Sequence, residues 1–133
     1  MLKLEIVTPE KRVLDTDVDM VTVPTASGEI GILPSHAPMV SALRPGVLAF
    51  TTKGNTEKLA VAGGFVEVNA DKVAILADAA ESADEIDIES ARAARDEAEK
   101  AFAAVSSRSL DETEAARDQL DAANVRLQLA AGR

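Results

Sequence analysis

Residues 47–76 read VLAFTTKGNTEKLAVAGGFVEVNADKVAIL, and this stretch decides the architecture of the first part of the chain. Residues 47–52 and 58–62 are extended, apolar-rich runs joined through Lys53-Gly54-Asn55. Residues 65–68 and 73–76 repeat the arrangement through Asn69-Ala70-Asp71. Each is a hairpin signature: β-branched and aromatic residues flank a few residues that tolerate the positive φ of a tight turn. The pattern continues toward the N-terminus. Leu2, Leu4 and Ile6 alternate with Lys3 and Glu5, the period of a half-buried strand. Residues 9–12 read as a turn. Residues 18–23 form a second extended run, with Asp17 and Asp19 turned outward. Two short strands flank Gly28–Gly31 and residues 43–46 make another turn. Short strands at such spacing predict an antiparallel β-sandwich over residues 1–84.

Beyond residue 84 the composition changes abruptly. All five prolines and six of the seven glycines lie before residue 65, whereas 13 of the 49 residues from 85 to 133 are alanine. Strong helix formers without breakers predict helices. Asp87 reads as an N-cap, with Glu89 placed against the positive helix end. The first helix runs to about Val105, residues 106–108 turn, and Ser109-Leu110-Asp111-Glu112 matches a capping box that opens the second. Ala91, Ala98 and Val105 recur every seven residues, as do Ala116, Ala123 and Ala130, and Leu120 with Leu127. That spacing describes an antiparallel two-helix seam. Alanine buries little area, so the seam is weak and the hairpin must dock on something else or open readily. The expected fold is α+β in two modules: a β-sandwich over 1–84 and a helical hairpin over 85–133.

Composition excludes most chemistries. The 133 residues carry 14 Lys and Arg against 23 Asp and Glu, a net charge of −9, which argues against nucleic acid and anionic lipid as partners. With no Cys and a single His, neither a thiolate nucleophile nor a Cys- or His-rich metal site can be built. No run approaches the roughly 20 apolar residues of a membrane span, and the N-terminal alternation is unlike a targeting segment. The expectation is a soluble, acidic, intracellular protein. Ser35 and Ser41 lack the pattern around a catalytic nucleophile, and Gly63-Gly64 alone is a poor phosphate cradle. No catalytic residues, metal or cofactor are expected.

The distinctive segment is Gly28-Glu29-Ile30-Gly31-Ile32-Leu33-Pro34-Ser35-His36-Ala37-Pro38, in which Glu29 and His36 are the only ionisable side chains. From the residues alone it reads either as a rigid turn with a hydrogen-bonded histidine or as a recognition loop. The run SGEIGILPSHAPMVSALRPGVL (27–48), with LEIVTPEKRVLDTDVDMVTVP (4–24) and VAGGFVEVNADKVAILADAAE (61–81), resembles the epsilon subunit family of the rotary F-type ATP synthase, the counterpart of the mitochondrial delta subunit. The resemblance runs almost end to end. It implies a non-catalytic rotor subunit, peripheral on the cytoplasmic face of a bacterial plasma membrane, with the gamma subunit and the c-ring as partners. It also implies helices that restrain ATP hydrolysis by meeting the alpha and beta subunits of the catalytic head when extended.

The resemblance assigns residues as well. Glu29 would pair with basic residues of the ring loops. His36 would sit at the same interface or brace the loop, and Met39 and Ile32 beside them would serve as contact or as core. Nucleotide-binding members of the family carry I/L-D-x-x-R-A at the start of the first helix. Here Ile86-Asp87-Ile88-Glu89-Ser90-Ala91 places Ser90 where the arginine belongs, and Glu97 falls where a further basic residue is expected. Glu81 and Asp87 remain family-like, and Arg92 or Arg95 would have to compensate, so any ATP binding is expected to be weak. The alternatives left by this reading are a free ATP-binding regulatory or sensor module and a helical adaptor scaffolded on the sandwich.

Overall fold

The structure is a computed structural model that describes residues 1–105 and 109–132. Strands β1 (Leu2–Val7), β2 (Arg12–Val18), β3 (Met20–Thr25), β4 (Gly28–Ile32), β5 (Met39–Ala42), β6 (Gly46–Thr52), β7 (Asn55–Ala62), β8 (Phe65–Asn69), β9 (Lys72–Leu76) and β10 (Ala79–Ser82) come first. A 3-10 turn (Ala83–Glu85) then leads to helices α1 (Ile88–Val105) and α2 (Leu110–Ala131). The strands form two sheets, ordered β2-β1-β9-β8-β5 and β10-β7-β6-β3-β4. Their facing sides enclose a core that includes Leu2, Leu4, Ile6, Val21, Val23, Ile32, Leu48, Val66 and Ile75, each fully buried. This is the expected sandwich followed by two helices, and strict alternation along β1, β8 and β9 supplies its core.

The two hairpins of 47–76 form as read. Thr52 pairs with Asn55 around Lys53 (φ 51°) and Gly54 (φ 83°), and Asn69 pairs with Lys72 around Ala70 and Asp71, Ala70 having φ 53°. Gly63-Gly64 is a backbone crossing rather than a cradle. Both residues have positive φ, and a Cβ on Gly64 would collide with the carbonyl oxygen of Leu76.

The structure departs from these expectations at several points. Residues 18–23 are not one strand: Val18 ends β2, Asp19 bends, and Met20 begins β3 in the other sheet. The buried positions Val18, Val21 and Val23 change parity there, which a single strand cannot do. The expected turn at 9–12 ends where β2 already begins, and residues 13–17 continue as strand. Gly28 and Gly31 lie within β4, and the turn before it is Ala26-Ser27, with the Thr25 hydroxyl donating to the Gly28 carbonyl at 2.6 Å. Finally, β10 was not anticipated. It adds to β7 through Glu81↔Ala60, and β1 runs parallel to β9 while the other neighbours are antiparallel.

The helices begin where the caps were read. Asp87 Oδ1 accepts from the amides of Glu89 (3.0 Å) and Ser90 (3.3 Å), and Ser109 Oγ accepts from the amide of Glu112 (3.2 Å). Ala91 and Ala98 of α1 and Ala116, Ala123 and Ala130 of α2 are buried along the seam. The Thr113 hydroxyl reaches the Val105 carbonyl (3.0 Å), and the Arg117 guanidinium stands 5.2 Å over the Phe102 ring. The expected turn at 106–108 lies outside the described residues. The hairpin docks on the sandwich through a second, small core of Ala60, Ile86, Ala91 and Ala130, with Ile88, Val125, Leu127 and Leu129 partly buried around it.

Candidate functional site

Glu29 projects from β4, the edge strand of its sheet, opposite Pro24 on β3. It is exposed, and among the described residues its carboxylate has neither a hydrogen bond nor an ion pair. His36 lies beyond the other end of β4. There Ser35, at φ 67°, donates its amide to Asp71 Oδ1 (2.8 Å) in the turn between β8 and β9, and the His36 amide donates to the Leu33 carbonyl (3.2 Å). The His36 Nδ1 sits 2.8 Å from the Ala37 carbonyl oxygen, which can only accept, so the proton is on Nδ1. The described contact of the histidine side chain is thus with its own neighbour in the loop. Glu29 and His36 do not share one loop, as the segment suggested. The intervening strand at about 3.3 Å per residue keeps them more than roughly 10 Å apart along the chain. Ile32 is core, and Met39 on β5, paired with Val68, is half-buried against the core.

A surface that the sequence reading passed over lies on the outer side of the first sheet. Ala42 pairs with Phe65, Phe65 with Leu76, and Leu76 with Val7, making one row across β5, β8, β9 and β1. Val40 joins it two residues along β5. Phe65 is 57% exposed, Leu76 51% and Val40 69%. Large apolar side chains clustered on one sheet face mark an interaction surface rather than scattered exposure. The signal was in the alternation: with Val66 and Val68 inward, Phe65 must face out.

Of the residues considered for nucleotide, Glu81, Asp87, Arg92 and Arg95 have partners inside the chain. Glu81 on β10 meets Arg126 on α2: Nε lies 2.7 Å from Oε1 and Nη2 3.4 Å from Oε2. Asp87 caps α1. Arg95 contacts Asp96 (3.0 Å) and Glu99 (3.8 Å), and Arg92 contacts Glu89 (3.0 Å). Glu97 lines a groove of about 660 Å³ between the helices, together with Ala94, Ala98, Lys100, Gln119, Ala123 and Arg126. Beside the 3-10 turn, the Ser82 amide, then its hydroxyl, then Lys11 hold the Glu85 carboxyl below the usual range. Among the described residues no three His, Cys, Asp or Glu side chains gather as metal ligands.

A family model described as the beta-sandwich domain of the ATP synthase delta/epsilon chain matches residues 1–83. The ATP synthase epsilon chain of Carboxydothermus hydrogenoformans is 50% identical over 102 residues, covering 77% of this chain and 76% of that one. The epsilon chain of Geotalea uraniireducens is 46% identical over 132 residues, covering 98% and 94%. A chain in the Euglena gracilis mitochondrial ATP synthase, in an assembly of OSCP, F1 and c-ring, superposes with a TM-score of 0.77 at 26% identity, covering 98% of this chain and 81% of that one. A chain of the Tetrahymena thermophila mitochondrial ATP synthase central stalk and c-ring has the same fold, with a TM-score of 0.60 at 18% identity, covering 98% and 94%. With two-thirds or more of both chains matched at close to half identity, and the sandwich recognised whole, the chain belongs to the ATP synthase delta/epsilon chain family.

Proposed function

We propose that this chain is the epsilon subunit of a bacterial, proton-translocating F-type ATP synthase. It is a non-catalytic part of the central stalk that ties gamma to the c-ring and restrains ATP hydrolysis through α1 and α2. The observation that carries the rotor role is the outward row of Phe65, Leu76 and Val40. A rotor subunit needs a grip that does not slip under torque, and a rigid sheet presenting large apolar side chains supplies one once covered. Gamma is the partner assigned to that face. The unpartnered Glu29 at the edge strand is assigned to basic ring loops, where a carboxylate with no internal partner gives up little to pair.

Torque passes through a close-packed core, which resists deformation. The chain is peripheral, held at the cytoplasmic face of the plasma membrane by its partners. No helix among the described residues is long and apolar enough to cross a membrane. The helices reach the alpha and beta subunits of the head after leaving the sandwich. The weak alanine seam and the separate caps at Asp87 and Ser109 favour such a release. Nucleotide is not required for the folded hairpin, since Arg95 and Arg126 are already engaged by carboxylates of the chain.

The test is capture of the tagged chain from native membranes with identification of the bound subunits. Gamma and the ring subunit are expected together. Recovery of neither, from membranes whose ATP synthase is intact, overturns the proposal.

A further inference from the structure

The seat of the helical hairpin on the sandwich is apolar and thin except at one point. Its buried residues are Ala60, Ala91, Ala130 and Ile86, and three of these four are alanines with a single methyl to bury. Against this background stands one charged contact. Glu81 lies on β10, directly opposite Ala60 on β7, and so at the margin of the small core. Arg126 lies three residues after Ala123 and four before Ala130, which puts it on the buried face of α2. Two nitrogens of its guanidinium face the two oxygens of Glu81, at 2.7 and 3.4 Å. Among the described residues, this is the ion pair that joins a helix to a strand; the others join β1 to β2, lie within β2 or within α1, or link Lys11 to the 3-10 turn.

We propose that the Glu81–Arg126 pair is the clasp that keeps the helical hairpin seated on the sandwich, and that it works with no nucleotide bound. The Arg126 side chain is 25% exposed and that of Glu81 31%, between the fully solvated pairs that contribute almost nothing and the buried pairs whose rupture is severe. Arg126 Nε is buried and its N–H is not aligned on an acceptor, so the contact is electrostatic and off-axis rather than an ideal fork. A clasp of that quality suits a part that must open. Paired, the charges attract in a partly dehydrated corner; released, both regain water, so the two states stay close in free energy. The geometry is also selective. Sliding α2 by one turn, about 5.4 Å, would carry Arg126 out of reach, so the pair fixes the helix in one register on the sheet. The clasp itself does not depend on the proposed function. Only its consequence, an earlier release of the helices toward the catalytic head, rests on that reading.

The experiment uses the isolated full chain without nucleotide and reads hydrogen exchange at the α2 amides 123–130 against the core amides of β1, β8 and β9. Glu81→Gln and Arg126→Gln should each speed α2 exchange about tenfold while the core amides stay unchanged, which also verifies that the variants fold. The double variant should match either single within about threefold, because the two changes remove one interaction. Raising salt from about 0.05 to 1 M should speed exchange in the wild-type chain and not in Glu81→Gln, a comparison that needs no folded arginine variant. Wild-type exchange rates in the single variants, multiplied effects in the double, or a salt response that survives Glu81→Gln would each overturn the clasp. A tenfold slowing of wild-type α2 by millimolar MgATP would overturn its independence from nucleotide. Loss of gamma binding elsewhere would leave these readings untouched, so the two proposals fail separately.

Discussion

Truncating Phe65 to alanine tests the grip proposed for the outward row. The side chain presents roughly 200 Å² and is 57% exposed, so about 110 Å² remains free in the isolated chain. Covering that area at about 25 cal/mol per Å² contributes close to 3 kcal/mol to association, and alanine retains only a fraction of it. The dissociation constant for gamma should therefore rise by about 30- to 150-fold. The isolated domain should hardly notice. Phe65 alternates away from the core between Gly64 and buried Val66, so its loss should cost about 1 kcal/mol or less, mainly through weaker strand propensity. The assay is a calorimetric titration of purified gamma with the wild-type and variant chains, with thermal unfolding of each chain alone as the control. An affinity within threefold of wild type, from a variant with an unchanged melting temperature, would refute the assignment of this face.

Other expectations test separate parts of the structure. Asp87→Ala should destabilise the first turn of α1 by about 1 kcal/mol and Asp87→Asn by only a few tenths, read by amide exchange at Glu89 and Ser90, because capping needs an acceptor oxygen more than a charge. Gly64→Ala should lower sandwich stability by at least about 3 kcal/mol in denaturant titrations, since the new methyl meets the Leu76 carbonyl at a φ of 91°. The Glu85 carboxyl titrates lower when folded than when unfolded, so its contribution is present above the ordinary carboxylate range and is lost as pH falls through the folded value. Glu85→Gln should accordingly show a shallower loss of stability on acidification below about pH 4.5 than wild type. Removing residues 85–133 should leave a cooperatively folding sandwich, because the main core draws on no residue beyond Ala80; an aggregated fragment would show that the helices complete the fold.

The legible parts of the sequence were those governed by local chemistry. Lys53-Gly54 and Ala70-Asp71 turn because the backbone there needs conformations that few residues accept, and the caps at Asp87 and Ser109 work within three residues of themselves. The passage of the chain from one sheet to the other at Asp19 left only a parity change between Val18 and Val21. Strand β10 left less, because Ala79-Ala80-Glu81-Ser82 has no alternation of its own and is a strand only because β7 offers it an edge. For the candidate site, Glu29 was legible as an ionisable group in a determined segment. Its separation from His36 was not, since that depends on where the strand runs between them. The apolar row needed sheet order as well as alternation: the β8–β9 hairpin sets Phe65 beside Leu76, but Val7 joins them only once β1 lies beside β9.

That parallel pairing also governs the order in which the chain can be assembled on the ribosome. Lys3 is opposite Lys72, and Val7 opposite Leu76, so β1 finds its inner neighbour only after nearly 70 further residues have been made. Until then β1 has β2 for company, a two-stranded ribbon that is marginal in water. The second sheet is different. Strands β3, β4, β6 and β7 all pair within residues 20–62, β3–β4 and β6–β7 as tight hairpins, and they can close while the remainder is still being synthesised. The chain is thus expected to hold a half-sandwich with an uncovered apolar face, Val21, Val23 and Leu48 among it, for the whole interval between the seventh strand and the ninth. At roughly 5–20 residues per second that interval lasts about a second or more. It is the period in which a nascent chain has most need of a chaperone, and it ends when β1 is seated between β2 and β9.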